Sequence, residues 1–290
     1  LIFEDLTRVA HVNGPAQDTL VGSDTLMTIA TGVVTTTSPL FNARRYLGTR
    51  ATRSLTGFGF QPDLIWIKDR THTAYAAHHM FIDSVRGINY ALNSNRANAE
   101  VGDAADSVTG FNSDGISLGA DSGNYTNYQY NGHIAWGWKA GGAPGGGALS
   151  LVDGVGAGTI SSGLTLVSSV TQSVNQTTGF SITKYNGDIT ATNQVAIFPH
   201  NLGATPSLII VKARGAAQQW VVWHTSMTTD KCLQLDSSTG YAGEEVYGYI
   251  DAPTSTNINL NASTSGSFYG NRVARDYDYI CYAWKAVTGV

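Results

Sequence analysis

Three aspartates and a pair of histidines are the first residues whose types invite a chemical reading. Asp63, Asp69 and Asp83 lie close together along the chain, and two carboxylates across a groove are what glycoside hydrolysis requires, one as acid and the other as base or nucleophile. His78-His79 beside Asp83-Ser84 supplies the residue types of a Ser-His-Asp triad. The Gly-x-Ser-x-Gly turn that lifts such a serine above a sheet occurs nowhere in the chain. The same histidines offer two metal ligands with no third in register, and paired histidines in a loop are ordinarily solvated. No glycine-rich stretch opens a helix, so phosphate finds no cradle of amides. A second copy of the surrounding segment places Ser207 and Ala213 where the first has Asp63 and Asp69, which weakens the carboxylates as a catalytic pair. The expectation is a protein that is not an enzyme, with no catalytic residues, no metal and no cofactor.

Aromatic rings offer a different chemistry, stacking on sugar faces. Tyr125, Tyr128 and Tyr130 fall in a Gly/Asn-rich loop running from Ser122, and they are the candidate carbohydrate-binding residues; ordinary loop packing or a subunit contact is the alternative. Tyr241, Tyr247 and Tyr249, near Glu244 and Glu245, are the equivalent candidates in the second copy. Trp136, Trp138 and Trp284 sit on a regular strand face and read as core. Glycosylation sequons at Asn124, Asn175 and Asn261 are what accident gives in a chain rich in Ser, Thr and Asn.

The elements that must position these groups form an internal repeat. Gln61 to Arg70 aligns with Thr205 to Arg214 through the shared pattern Pro-x-Leu-Ile-x-x-Lys-x-Arg, at an offset of 144. Ile134 to Ala140 aligns with Ile280 to Ala286 at an offset of 146. A weaker pair precedes both: Phe41 to Gly48 against Phe180 to Gly187, at an offset of 139. Small loop insertions between common strands account for the drift. Large residues alternate with Ala, Gly or Cys in Ile134-Ala135-Trp136-Gly137-Trp138 and again in Ile280 to Trp284, the period of a strand whose small face lets another layer approach closely. Further short β-branched or aromatic segments, such as Phe81-Ile82, Ile116-Ser117-Leu118 and Ile258-Asn259-Leu260, are separated by turn signals including Asp114-Gly115, Asn131-Gly132 and Asn186-Gly187. Asn95 to Ala105 is Ala-rich but lacks an apolar stripe, so it reads as loop.

These features predict an all-β chain of two related antiparallel β-sandwich domains, lectin-like or jelly-roll-like, over residues 41–140 and 180–290. Residues 141–179 read as a Gly-rich linker followed by an extended strand segment, and residues 1–40, Thr/Val-rich near Thr28 to Thr37, as an extended N-terminal arm that pairs with a neighbour.

Composition narrows the function classes. Charged residues make up 13% of the 290, about half the ~25% of an average soluble chain, which excludes a coiled coil or a charged disordered regulator. The 33 glycines and ordinary apolar share of 42% leave a chain with a core and a surface of Ser, Thr, Asn, Gln and Gly. A net charge of −4 gives phosphate no global attraction, so nucleic acid is not an expected partner. The longest apolar runs fall far short of the ~20 residues that cross a bilayer, so no membrane insertion is expected. The first residue is Leu, and no signal-peptide pattern follows it; either the start was processed or the sequence is part of a longer chain. Cys232 and Cys281 cannot make a disulfide framework and read as small core residues, a bond between them being the alternative.

Gly57 to Arg70, followed by Phe81-Ile82-Asp83-Ser84-Val85-Arg86-Gly87 and closing with Trp136-Gly137-Trp138-Lys139-Ala140, resembles a tandem-repeat domain of structural proteins in tailed bacteriophages, especially those of marine hosts. The second copy, with His200-Asn201-Leu202-Gly203, Pro206 to Lys212, Trp220 to His224 and Tyr282-Ala283-Trp284-Lys285, is similar to the version that often follows it. The resemblance implies a virion surface protein, of tail-fibre or decoration type, assembled in the host cytoplasm. Its implied partners are other virion proteins, copies of itself and host surface glycans, and it brings no catalytic residues. A capsid head-decoration or cement protein is the alternative within this class, and a polysaccharide-degrading enzyme the alternative outside it.

Overall fold

Alternation of large and small side chains decides how the strands of this protein stack. The computed structural model describes residues 40–71, 77–102, 106–123, 125–145, 150–156, 160–227, 231–237, 242–243, 248–262 and 273–287. The chain is all-β, with no helix among the described residues. The expected N-terminal arm lies outside them apart from Leu40.

The first half runs β1 (Phe41–Leu47), β2 (Arg53–Thr56), β3 (Leu64–Asp69), β4 (Met80–Asp83), β5 (Leu92–Asn93), β6 (Val108–Asn112), β7 (Gly115–Leu118) and β8 (Gly132–Trp138). It makes a five-stranded sheet in the order β1-β8-β3-β4-β5 and a three-stranded sheet β2-β7-β6. After it come β9 (Ser150–Val152), β10 (Val155–Gly156), β11 (Val167–Asn175), β12 (Phe180–Gly187), β13 (Val195–Pro199), β14 (Pro206–Ala213), β15 (Val221–His224), β16 (Lys231–Gln234), β17 (Ala242–Gly243), β18 (Tyr249–Asp251), β19 (Asn257–Asn261) and β20 (Asp278–Lys285). These form a nine-stranded sheet, β10-β9-β11-β12-β20-β14-β15-β16-β17, and a three-stranded sheet, β13-β19-β18. The stretch β12-β20-β14-β15-β16 reproduces the order β1-β8-β3-β4-β5, and β13-β19-β18 reproduces β2-β7-β6. Strands β9, β10 and β11 come from the segment expected as linker and extended strand, and they enlarge the second large sheet. Among the ladders joining these strands, β9 with β11 is parallel and the rest are antiparallel.

Among the described residues, three apolar cores separate four layers. Ile65, Ile67, Ile82 and Ala135 on one face of the five-stranded sheet meet Leu55, Val108, Ile116 and Leu118 of the small sheet β2-β7-β6. Ile209, Val211, Cys281 and Ala283 meet Phe198, Ile250, Ile258 and Leu260 in the same way. Between the two large sheets lies a third core, where Leu64, Phe81 and Leu92 pack on Phe180, Ile182, Ile210, Trp220 and Tyr282. Small residues permit the close stacking: a Cβ on Gly137 would come within 2.8 Å of the Phe58 ring. Trp138 and Trp284, expected in the core, are partly buried against the third core with ring centroids 6.3 Å apart, whereas Trp136 is partly buried against Trp66 at 5.3 Å. Residues 39–290 cluster as one compact unit, as a core shared by both large sheets requires. Cys232 and Cys281 are buried and not joined by a disulfide, and burial pushes the Cys281 thiol up in pKa.

Candidate functional site

The motif residues shared by the two halves prove to be scaffold. Tyr46 stacks on His133 at 5.1 Å and sends its hydroxyl to the Thr126 carbonyl. Tyr185 stacks on Tyr279 at 5.2 Å and sends its hydroxyl to the Val273 carbonyl. Two residues on, Gly48 and Gly187 let the backbone approach the same loop: an added Cβ would meet Tyr128 O at 1.9 Å and Arg275 O at 2.2 Å respectively. Each Tyr-x-Gly motif therefore docks the loop that precedes the last strand of its half. The repeated lysines also brace loops, with Lys68 Nζ donating to Ala77 O and Lys212 Nζ to Ala216 O.

The three candidate carboxylates are used in the same structural way. Asp63 is buried and accepts from Ser84 Oγ (2.9 Å), Ala140 N (2.8 Å) and Gly142 N (3.2 Å), tying down the start of the Gly-rich segment; burial raises its pKa. Asp69 accepts from Thr71 N and Asn131 Nδ2 and lies 3.5 Å from His133 Nε2. Asp83 accepts from Val85 N and Arg86 N through one oxygen, and from Arg86 Nε (2.5 Å) and Tyr282 Oη (2.7 Å) through the other. Arg86, wholly buried, also donates to Glu100 Oε1, Phe81 O and Tyr282 Oη, while Glu100 holds Arg214. Residues of both halves thus share one ionic seam, joined nearby by Trp220 Nε1 donating to Asn93 O at 2.9 Å. Ser84 faces Asp63 rather than an imidazole. His78 stacks near Tyr125 at 6.0 Å, and burial lowers the pKa of both His78 and His79. Among the described residues no group of His, Cys, Asp and Glu is placed to hold a metal ion.

The candidate tyrosines are not one platform. Tyr130 is 82% exposed and holds a left-handed backbone at φ 66°. Tyr128 lies beneath Arg50, 4.9 Å from guanidinium to ring centre, and Tyr125 is partly buried against the first core. Tyr249 is buried at the start of β18, which occupies the place of β6 in its small sheet. The segment 240–250 is therefore not the counterpart of the 122–130 loop; that counterpart is the stretch before β20. Tyr241 and Tyr247 lie outside the described residues.

Two hollows formed by groups that sequence reasoning passed over meet at the Gly187 end of the second large sheet. One, of about 340 Å³, is lined by Ser169, Thr171, Lys184, Asn186, Arg214 and Asp278. The other, of about 390 Å³, shares Asn186 and Asp278 and adds Asp188, Gly215, Asp276 and Tyr277. A β-bulge between Ser168 and Thr171 shapes one wall. The sequence signal available was Asn186-Gly187, read simply as a turn. A further open hollow of about 500 Å³ lies where Gln61, Lys139 and Asn175 surround Asp63, but that carboxylate is fully engaged with protein donors.

A family model described as "Domain of unknown function (DUF7483)" matches residues 36–290. No curated protein and no solved structure matches the chain. The match takes in both halves of the repeat and the seam between them, and on that extent the chain belongs to the DUF7483 family.

Proposed function

We propose that the chain is a non-catalytic structural protein of a bacteriophage surface, a tail-fibre or similar appendage component that presents its β-sandwich halves to the host. The observation that carries this reading is the fate of the chemically capable groups. Asp83, Arg86, Glu100, Arg214 and Tyr282 are spent on one another between the halves, and Asp63 on backbone amides. Spent in this way, they make a stiff body rather than a reaction centre, the property wanted of a part that carries contact from a particle to a cell. The sequence resemblance over residues 41–290 and the sparsely charged surface support the same reading. Its partners are other virion proteins and further copies of itself, and host glycans met by exposed loops such as the one bearing Tyr125, Tyr128 and Tyr130. Many copies on one particle make weak individual contacts sufficient.

Quantitative mass spectrometry and antibody labelling of purified virions test this reading. Label on tail appendages, with a copy number set by tail symmetry, is the expected result. A copy number that scales with the capsid lattice would reassign the chain to head decoration, and absence from virions would overturn the proposal. Release of sugar from host polysaccharide by the purified protein would overturn its non-catalytic part.

A further inference from the structure

We propose that the two-lobed cleft at the Gly187 end of the second half binds an acidic saccharide unit, its carboxylate in the Lys184 lobe and its hydroxyls in the lobe of Asp188, Asp276 and Tyr277. The choice of a saccharide rests on the reading above; the charge pattern of the ligand rests on the cleft alone.

The two halves share a scaffold, so their corresponding ends are directly comparable. In the first half Arg70 N donates to Gly132 O, and in the second Arg214 N donates to Asp278 O, which fixes the register. One residue further on, Thr71 Oγ1 accepts from Gly132 N at 2.8 Å. Its counterpart is Gly215, where an added Cβ would find just Asp278 N, at 3.9 Å. Gly215 lines the hollow of Asp188, Asp276 and Tyr277 and puts no side chain into it. Around it, Leu47 and Gly132 of the first half give way to Asn186 and Asp278, and Thr49 and Tyr130 to Asp188 and Asp276. Exposed Leu47 and Tyr130 of the first half thus stand where Asn186 and Asp276 line a polar recess in the second.

The lobes differ in charge: Lys184 and Arg214 line one beside Asp278, and Asp188, Asp276 and Asp278 line the other. Lys184 is half-buried and no hydrogen bond or ion pair engages its ammonium among the described residues, so its donors are open to an anionic group. Arg214 uses Nε and Nη2 on Glu100, which leaves Nη1 for a second anion. The other lobe presents the carboxylates of Asp188, Asp278 and Asp276, the last paired with Arg275 Nε at 3.1 Å, as acceptors for ligand hydroxyls, and the Tyr277 ring, capped on one face by Arg275 at 5.2 Å, as an apolar wall. Asn186 and Asp278 line both lobes. A sugar bearing one carboxylate and vicinal hydroxyls matches this order; a neutral sugar leaves the cations unmatched, and a dianion meets the acidic lobe.

NMR titration of the full chain with sodium D-glucuronate, D-glucuronamide and D-glucose tests the assignment. Glucuronate is expected to bind in the millimolar range, and the two neutral sugars at least about tenfold more weakly, because the charge-assisted contact is lost. Lys184→Gln should weaken glucuronate by about the same factor, and Gly215→Leu should abolish binding by filling the recess, with thermal melting of both variants matching the parent. Equal affinity for glucuronate and glucuronamide, unchanged binding in Gly215→Leu, or no glucuronate-dependent shift would overturn the proposal, and the amide comparison needs no variant to fold. Failure of binding by a chain found in virions would sink the cleft alone, whereas glucuronate binding by a chain absent from virions would sink the virion reading alone.

Discussion

Replacing Arg86 by Met is the sharpest probe of the seam. The guanidinium is fully buried and makes four contacts: Asp83 Oδ2 at 2.5 Å, Glu100 Oε1 at 2.9 Å, Phe81 O at 2.9 Å and Tyr282 Oη at 3.1 Å. Methionine fills most of the volume but supplies no charge. Glu100 keeps Arg214, so the charge left without a cation is that of Asp83, which retains the Val85 N, Arg86 N and Tyr282 Oη donors and whose side chain is 0% accessible. Breaking a buried ion pair from one side costs about 3–5 kcal/mol. For a unit of this size each kcal/mol moves the melting temperature by about 2–4 °C, so the expected fall is roughly 6–20 °C. Urea and thermal denaturation followed by tryptophan fluorescence, with Trp220 beside the seam, read it directly. Asp83→Asn added to Arg86→Met removes the stranded charge, so the double variant should recover part of the loss; double-mutant analysis measures the coupling. A melting temperature within about 2 °C of the parent for Arg86→Met, or a double variant that simply adds the two single losses, would refute the argument that an uncompensated carboxylate dominates.

Asp63→Ala should destabilise by roughly 1–3 kcal/mol for each amide left without an acceptor, those of Ala140 and Gly142, while Asp63→Asn, which keeps an acceptor, should cost less than about 1 kcal/mol in urea denaturation at pH 7. Because burial raises the Asp63 pKa, its contribution is fullest below the unfolded value and is lost as pH rises through the folded one; Asp63→Asn should flatten that acid limb. Gly48→Ala drives a Cβ to 1.9 Å from Tyr128 O and should cost about 1–3 kcal/mol as the docked loop shifts, whereas Gly215→Ala should stay within about 0.5 kcal/mol, both read by thermal melting. His200 is buried, its Nδ1 accepting from Leu202 N and its Nε2 facing Thr254 O, an arrangement for the neutral ring. Its pKa is lowered first by burial, so its stabilisation is present above ~6.5 and is lost as pH falls through the folded value; His200→Gln should reduce the drop in melting temperature on acidification.

The repeat was legible in the sequence because its signals are local. Strand alternation in Ile134 to Trp138, the Pro-x-Leu-Ile-x-x-Lys-x-Arg segments and the Tyr-x-Gly pairs each reflect a constraint acting within a few residues. The stacking of the two halves was not legible, since strands covered on both sides lose their alternation: all four residues of β4 are buried. The seam joins residues as far apart as Arg86 and Tyr282, 196 positions along the chain, a pairing that no spacing rule supplies. The second set of tyrosines was placed by composition, and composition does not distinguish the segment opening β18 from the loop before β20.

The cleft was hidden for a further reason, which bears on how an internal repeat should be read for function. Matching residues such as Tyr46 and Tyr185 or Gly48 and Gly187 draw the eye, yet both copies use them for the same docking contact, so they report the frame. Positions where the copies disagree on that frame are released from docking. Thr71 against Gly215 exchanges a hydrogen-bonded side chain for a glycine on the wall of a recess, and the neighbouring exchanges set that recess with charges. A change that both removes a structural contact and assembles Lys184, Asn186, Asp188 and Asp278 around the opening offers the scaffold nothing in return. Ligand binding would offset that loss, so the rim of the second half is where selection for recognition, rather than for folding, would leave its mark.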